Sequence, residues 1–238
     1  MCPTVSVGDS GEFIASANCL LLPHPPSYPL FSVCGKLFSG LIPWGDLSYR
    51  INLFSAGCIS SALVALFFAL KIVFINIAPV PKSKTNPLPG NLPEKKLTYF
   101  SADYLPQLIL LACTVLTFAF AEILWRQALV TEVFGLNTLF ICILILVFAY
   151  TKNSNNYPLL FLGSFLLGLG LGNHQTLVFT AVLLLLFIGR IYWSTRKLPG
   201  KIKFNLYLKL GVISIICFLA GFSIYFYLPI RSLKNPPI

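Results

Sequence analysis

Charge is the scarcest commodity in this 238-residue chain: only 10% of its residues are Asp, Glu, Lys or Arg, and just 7 are acidic. A soluble domain carries about a quarter charged residues, so a water-facing surface of this size is excluded, and lipid must cover part of it. No Cys-x-x-Cys pair occurs, which removes zinc ribbons and dithiol redox motifs. The 7 cysteines are scattered, and four lie inside apolar runs as small hydrophobes. Cys2, Cys19 and Cys34 share one segment and could pair if it is extracytoplasmic, although the odd total argues against a full disulfide framework. No RNP, zinc-knuckle or helix-turn-helix pattern accompanies the net charge of +10, so nucleic acid is not the implied partner. The start of the chain lacks the basic and apolar regions of a signal peptide. No Asn-x-Ser/Thr sequon appears, which is easier to reconcile with a bacterial inner membrane than with the endoplasmic reticulum.

What is present is apolar length, with a mean hydropathy of +0.83. A helix crosses the hydrocarbon core with about 20 apolar residues. Six runs qualify or nearly so: Ile51–Ala78, Leu105–Leu124, Phe134–Tyr150, Tyr157–Gly172, Thr176–Trp193 and Leu208–Leu228. The sequence therefore predicts an all-α, polytopic membrane bundle of about six transmembrane helices. The fourth run is short and carries Gly168 and Gly172 at a GxxxG spacing, which lets helix backbones approach closely. Phe13–Leu22 and Tyr28–Ile42 are too short to cross. They fit interfacial helices or core-buried ones equally well.

The charges divide between the two faces that six crossings create. One side takes the loops near 79–104, 151–156 and 194–207 with twelve Lys and Arg against two acids. The other takes five of each. The positive-inside rule makes the first side cytoplasmic. The expected organisation is one membrane domain over 1–238, with a first extracytoplasmic loop at 1–50, a bundle at 51–228 and a cytoplasmic loop at 79–104. Because the chain then starts outside without a leader, it reads as a fragment lacking a first helix and a C-terminal part.

The extracytoplasmic side collects both histidines and five of the seven acids. Polar groups at a membrane are costly, so their gathering suggests a task. Each also has a structural reading. Asp9, three residues before Glu12, suits a helix cap. His24 and His174 suit satisfied interfacial histidines. Arg50, Arg126 and Arg231 suit headgroup anchors, and Glu132 suits an ion pair with Arg126. Taken together, they supply what transfer from a lipid-phosphate sugar requires: a carboxylate to take a proton and donors to hold the leaving phosphate. Asp9 and Glu12 are the candidate catalytic acids. His24, Arg50, Glu132, Asn173, His174 and Arg231 are the candidate substrate-binding residues. A divalent metal is admissible, but two carboxylates without a third ligand define no metal site.

Four blocks carry a family resemblance: Cys2 to Ala17 with Gly8-Asp-Ser-Gly-Glu12, continuing through His24-Pro-Pro-Ser-Tyr-Pro-Leu-Phe31 and Tyr49-Arg-Ile-Asn52; Glu132-Val-Phe-Gly-Leu-Asn-Thr-Leu139; Gly170-Leu-Gly-Asn-His-Gln-Thr176; and Tyr227-Leu-Pro-Ile-Arg231. In this order the chain resembles the TMEM260-like protein O-mannosyltransferase family. The resemblance implies a GT-C-type glycosyltransferase fold, an essential acid in the first extracytoplasmic loop, mapping to Asp9 with Glu12 as second candidate, and a polyprenyl- or dolichyl-phosphate sugar donor. The chain has Ser27 where the family pattern usually has Gly, and Gln175 where it usually has a second His.

The leading expectation is a membrane enzyme moving a sugar, with mannose the candidate, to a protein or glycan acceptor at the extracytoplasmic face of a bacterial inner membrane, or of the endoplasmic reticulum in a eukaryote. Asp9 would act as general base, with inversion at the anomeric carbon. A transporter or flippase is the alternative. It fits less well, since the spans hold few central polar residues and show no internal repeat. A non-catalytic scaffold subunit is the third reading.

Overall fold

The computed structural model describes residues 4–6, 8–77, 105–151, 157–196 and 199–234. The expected loop at 79–104 lies outside them, as do Lys152 and Lys197. Among the described residues the chain is all-helical: α1 (Ser10–Cys19), α2 (Pro29–Leu41), α3 (Leu47–Ile77), α4 (Leu105–Ala119), α5 (Glu122–Leu129), α6 (Val133–Thr151), α7 (Tyr157–Leu171), α8 (Ala181–Ser194), α9 (Gly200–Phe222) and α10 (Tyr227–Ser232). Short 3-10 segments at Gln175–Thr180 and Ser223–Phe226 lead into α8 and α10.

All six apolar runs are helical, but they are not equal. Four stretches have the length and composition to cross a membrane: Leu47–Phe74, Val133–Thr151, Gln175–Ser194 and Gly200–Ser232. The run expected at Leu105–Leu124 is broken: α4 and α5 meet at 63°, and only as one bent span do they make a fifth crossing. Ala121 leaves the helical conformation at ψ 131°, and the charged α5 turns aside from the apolar α4. The run at Tyr157–Gly172 yields α7, whose 15 residues reach about 22 Å, short of a hydrocarbon core of about 30 Å. Large apolar side chains cover the outside of α4, α8 and α9, Leu110, Leu185 and Ile215 among them. Water would not tolerate so continuous an apolar exterior. The molecule is a multi-pass membrane protein.

The interior is one principal cluster to which the first loop contributes as fully as the spans do. Phe13 of α1 and Phe31 of α2 are almost completely buried, packed with Ile51 and Phe54 of α3, Val133, Leu136 and Phe140 of α6, and Leu167 of α7. Of the two roles open to α1 and α2, each buries one face in this core, while Leu37 and Leu41 on the other face of α2 stay exposed. Glycines set the tightest contacts. A Cβ on Gly168 would run into the Phe218 carbonyl of α9, and one on Gly221 into the Phe165 carbonyl of α7. These reciprocal glycines bring the α7 and α9 backbones together, as GxxxG spacing permits. Gly172 meets Ile224 just past the end of α9. At the opposite end, Leu160 of α7 joins Ile191 and Leu210. Thus α7 and α9 run parallel and in direct contact, and α8, which joins them along the chain, runs the opposite way.

Candidate functional site

Four separate segments meet at one end of the bundle. Asn52 of α3 donates to the Thr4 carbonyl at 3.4 Å and accepts from Thr131 Oγ1 at 2.6 Å. Asn173, 1% exposed, donates to the Val133 carbonyl. The Leu30 amide donates to the Gly172 carbonyl. Tyr227 donates to the Leu21 carbonyl at 3.1 Å. The first loop, the start of α6, the turn before α8 and the start of α10 therefore form a single platform.

Asp9 stands on that platform at the head of α1. It occupies the N-cap position, yet its side chain makes no capping hydrogen bond. Capping, the structural reading of the Asp9 to Glu12 spacing, is therefore not what the Asp9 carboxylate does. Its side chain is 61% exposed. Gly8 precedes it at φ +89°, a conformation natural only to glycine, and a Cβ there would lie 3.8 Å from Glu132 Oε1. The first loop thus passes directly over Glu132. Burial lifts the Glu132 carboxyl above its usual range, the Asp9 charge adds to that lift, and His24 opposes it.

Glu12, one turn into α1, grips His24. Its Oε1 accepts the His24 backbone N–H at 2.5 Å, and its Oε2 accepts ring Nδ1 at 2.9 Å. The ring leans on Phe13, 5.6 Å between centroids, and on Tyr28. Its Nε2 lies 3.4 Å from the Tyr28 hydroxyl and 4.0 Å from Asp9 Oδ2. The Glu12 hydrogen bond raises the His24 pKa; desolvation opposes it, and the charges of Glu12, Asp9 and Glu132 add to the rise. Burial pushes the Glu12 carboxyl up, but the ring and backbone hydrogen bonds of His24 and the ring charge together leave it below its ordinary value. The turn that delivers His24 runs through a cis Pro25–Pro26 bond and then two left-handed residues, Ser27 at φ 72° and Tyr28 at φ 38°.

His174 closes the far side, stacked on Tyr28 with centroids 6.1 Å apart and tilted against Phe134. The Thr176 amide donates to His174 Nδ1 at 3.2 Å, and the Thr176 hydroxyl lies 2.8 Å away. An accepting Nδ1 places the ring proton on Nε2. Burial lowers the His174 pKa. With Nδ1 accepting, the ring offers Nε2–H as its donor.

The expected cations are elsewhere. Arg50 donates Nε to the Trp44 and Gly45 carbonyls and Nη1 to the Ser39 carbonyl. That is the C-terminal end of α2, whose 13 residues put it about 20 Å from the His24 end. Arg231 donates to the Cys19 carbonyl at the last turn of α1, away from Asp9. Arg126 pairs with Glu122 at 2.6 Å, not with Glu132. Both partners are exposed, and such a pair contributes little. Asn173 is a structural tie. The structure therefore assembles Asp9, Glu12, His24 and Glu132 with His174 nearby, and leaves Arg50 and Arg231 to hold the loop. Tyr28, which links both histidines, was not singled out by sequence, although it lies in the His24-Pro-Pro-Ser-Tyr block. Among the described residues, no group of three His, Cys, Asp or Glu side chains is placed to hold a metal ion, and Cys19 and Cys34 are unpaired.

Residues 9–197 match the family model described as the protein O-mannosyl-transferase TMEM260 N-terminal domain. A curated mouse (Mus musculus) protein, protein O-mannosyl-transferase TMEM260, is 30% identical over 231 residues, covering 94% of this chain and 27% of the relative. Its Dictyostelium discoideum namesake is 26% identical over 194 residues, 76% of this chain and 20% of the relative. The chain thus spans roughly a quarter or less of the curated relatives it matches. No solved structure matches it significantly.

Proposed function

The chain belongs to the family of the protein O-mannosyl-transferase TMEM260 N-terminal domain, and we propose from that premise that it carries the acid end of a membrane glycosyltransferase. The observation that carries this reading is Asp9: a carboxylate at a helix head that does not cap its helix, faces outward, and stands among Glu132, His24 and Tyr28 above an apolar bundle.

In this reading the donor is a sugar, mannose in the leading case, on a polyprenyl or dolichyl phosphate. The acceptor is a protein hydroxyl, and the fold is of GT-C type with six crossings. The acid end faces away from the cytoplasm. The acceptor O–H attacks the anomeric carbon, the bond from that carbon to the phosphate oxygen breaks, and the electron pair leaves with the lipid phosphate. The acceptor proton passes to Asp9. One displacement inverts the anomeric centre. The His174 Nε2–H supplies a neutral donor for the leaving phosphate. Arg50 and Arg231 fix the first loop from its two far ends. The membrane itself supplies the surface along which the lipid tail approaches.

The test is transfer of labelled mannose from polyprenyl-phosphate mannose to a peptide, in membranes carrying the protein as its genome encodes it. Wild type transfers, and Asp9→Asn, at equal expression, loses about 100-fold or more of the rate. Equal rates would remove Asp9 from the chemistry. A retained anomeric configuration would remove the single displacement.

A further inference from the structure

Glu12 and Asp9 are both acids of the first loop, but their surroundings separate them. Asp9 is open. Glu12 spends both its oxygens on one residue, accepting the His24 amide on Oε1 and ring Nδ1 on Oε2. A grip on backbone and ring together fixes where His24 sits and how its ring is turned. It also assigns a proton to Nδ1, as a carboxylate does when it orients an imidazole. The ring has one nitrogen left, and that nitrogen faces the Tyr28 hydroxyl at 3.4 Å and Asp9 Oδ2 at 4.0 Å. Phe13, 1% exposed, backs the ring and limits its swing.

The ionisable groups facing this ring come from every element around it: Asp9 and Glu12 at the head of α1, Glu132 before α6, and Tyr28 at the head of α2. Three are carboxyls. An anionic lipid phosphate approaching this end meets that negative charge, and the two arginines expected to offset it are engaged elsewhere.

Resting on the glycosyl-transfer reading, we propose that Glu12 is a positioning residue and not a second catalytic acid: it holds His24 so that Nε2 faces the open Asp9 side of the site, where the imidazolium offsets the negative charge that the anionic lipid phosphate of the donor meets. His24 gives up no proton in the transfer step. The raised His24 pKa agrees with the role.

The experiment has two arms. In the first, the chain is reconstituted in lipid nanodiscs with ring-labelled histidine and titrated by NMR. It has two histidines, so His174→Gln assigns the signals. His24 titrates above the ordinary imidazole range. Its midpoint moves to lower pH in Glu12→Gln, and also, by less, in Asp9→Asn. In the second arm, the pH profile of kcat/KM for sugar transfer is compared. Glu12→Gln keeps transfer at the acid end of the profile and loses it at lower pH than wild type as pH rises. Asp9→Asn is lost at every pH. Gel filtration and thermal unfolding confirm that each variant is folded. An unmoved His24 midpoint in folded Glu12→Gln overturns the proposal, as does loss of transfer at every pH in that variant. If wild type transfers no sugar, the enzyme reading fails, and the titration arm still decides whether Glu12 and Asp9 act on His24.

Discussion

At the scale of single residues, the acid end is held by a few hydrogen bonds whose strength depends on charge. Glu12 and His24 shift in opposite directions, and this sets a pH window. The lowered Glu12 carboxyl contributes stability in full above its ordinary value of 4.5, and loses it as pH falls through its folded value. The raised His24 contributes in full below its ordinary 6.5 and loses it as pH rises through its folded value. Between pH 4.5 and 6.5 both contributions are complete. Protection of the His24 to Tyr28 turn against amide hydrogen exchange, taken relative to the intrinsic rate at each pH, is therefore greatest there and falls on either side; a flat protection profile would show that the pair does not fasten the turn. Thr131 makes a second prediction. Its hydroxyl donates to fully buried Asn52 from a fully buried position. Thr131→Val removes that donor and lowers stability by about 1–2 kcal/mol, read from thermal unfolding in detergent.

At the scale of elements, the glycines separate close packing from mere composition. Gly168 and Gly221 press α7 and α9 together, whereas Gly189 of α8 has open space where a Cβ would go. Gly168→Leu or Gly221→Leu forces backbones apart and costs about 3 kcal/mol, while Gly189→Leu is near neutral by the same melt. The spacing that suggested tight packing was legible in the sequence; its partner, Gly221 on a distant helix, was not. The turn carrying His24 shows a subtler effect. Ser27 adopts φ 72°. A left-handed residue with a Cβ costs about 1–2 kcal/mol. The Ser27 hydroxyl offsets part of this by donating to the Pro23 carbonyl at 3.1 Å. Ser27→Gly therefore changes thermal stability by less than about 1 kcal/mol, and a large loss would show that the hydroxyl dominates.

At the scale of the whole molecule, the number of crossings turns on the bent α4–α5 pair and on α7. By length α7 falls short, but it runs parallel to α9 from Leu160 beside Leu210 to Gly172 beside Ile224. The proposed six crossings place five between Cys19 and Lys201; without α7 there are four. Both positions are exposed. In a chain retaining only Cys19, or only a Lys201→Cys thiol, impermeant maleimide in sealed vesicles labels the two from opposite faces. Labelling from the same face would remove either α7 or the bent α4–α5 pair as a crossing.

Composition and apolar length by themselves determined that the chain is helical and lives in a membrane, because a scarcity of charge and runs of apolar residues have no other stable solution. The sequence also named the residues of the acid end, since polar groups crowded at one face of an apolar bundle are too costly to be incidental. It did not decide which of them meet. Asp9, Glu12, His24 and Glu132 come together because the first loop folds back over the start of α6, through contacts between segments far apart in the chain. Arg50 and Arg231 carry the same charge and lie in the same kind of motif, yet they bind backbone carbonyls at the far ends of α2 and α1. A motif fixes a residue's chemistry and its neighbours along the chain. Only the packing of helices on one another decides where the side chain can reach.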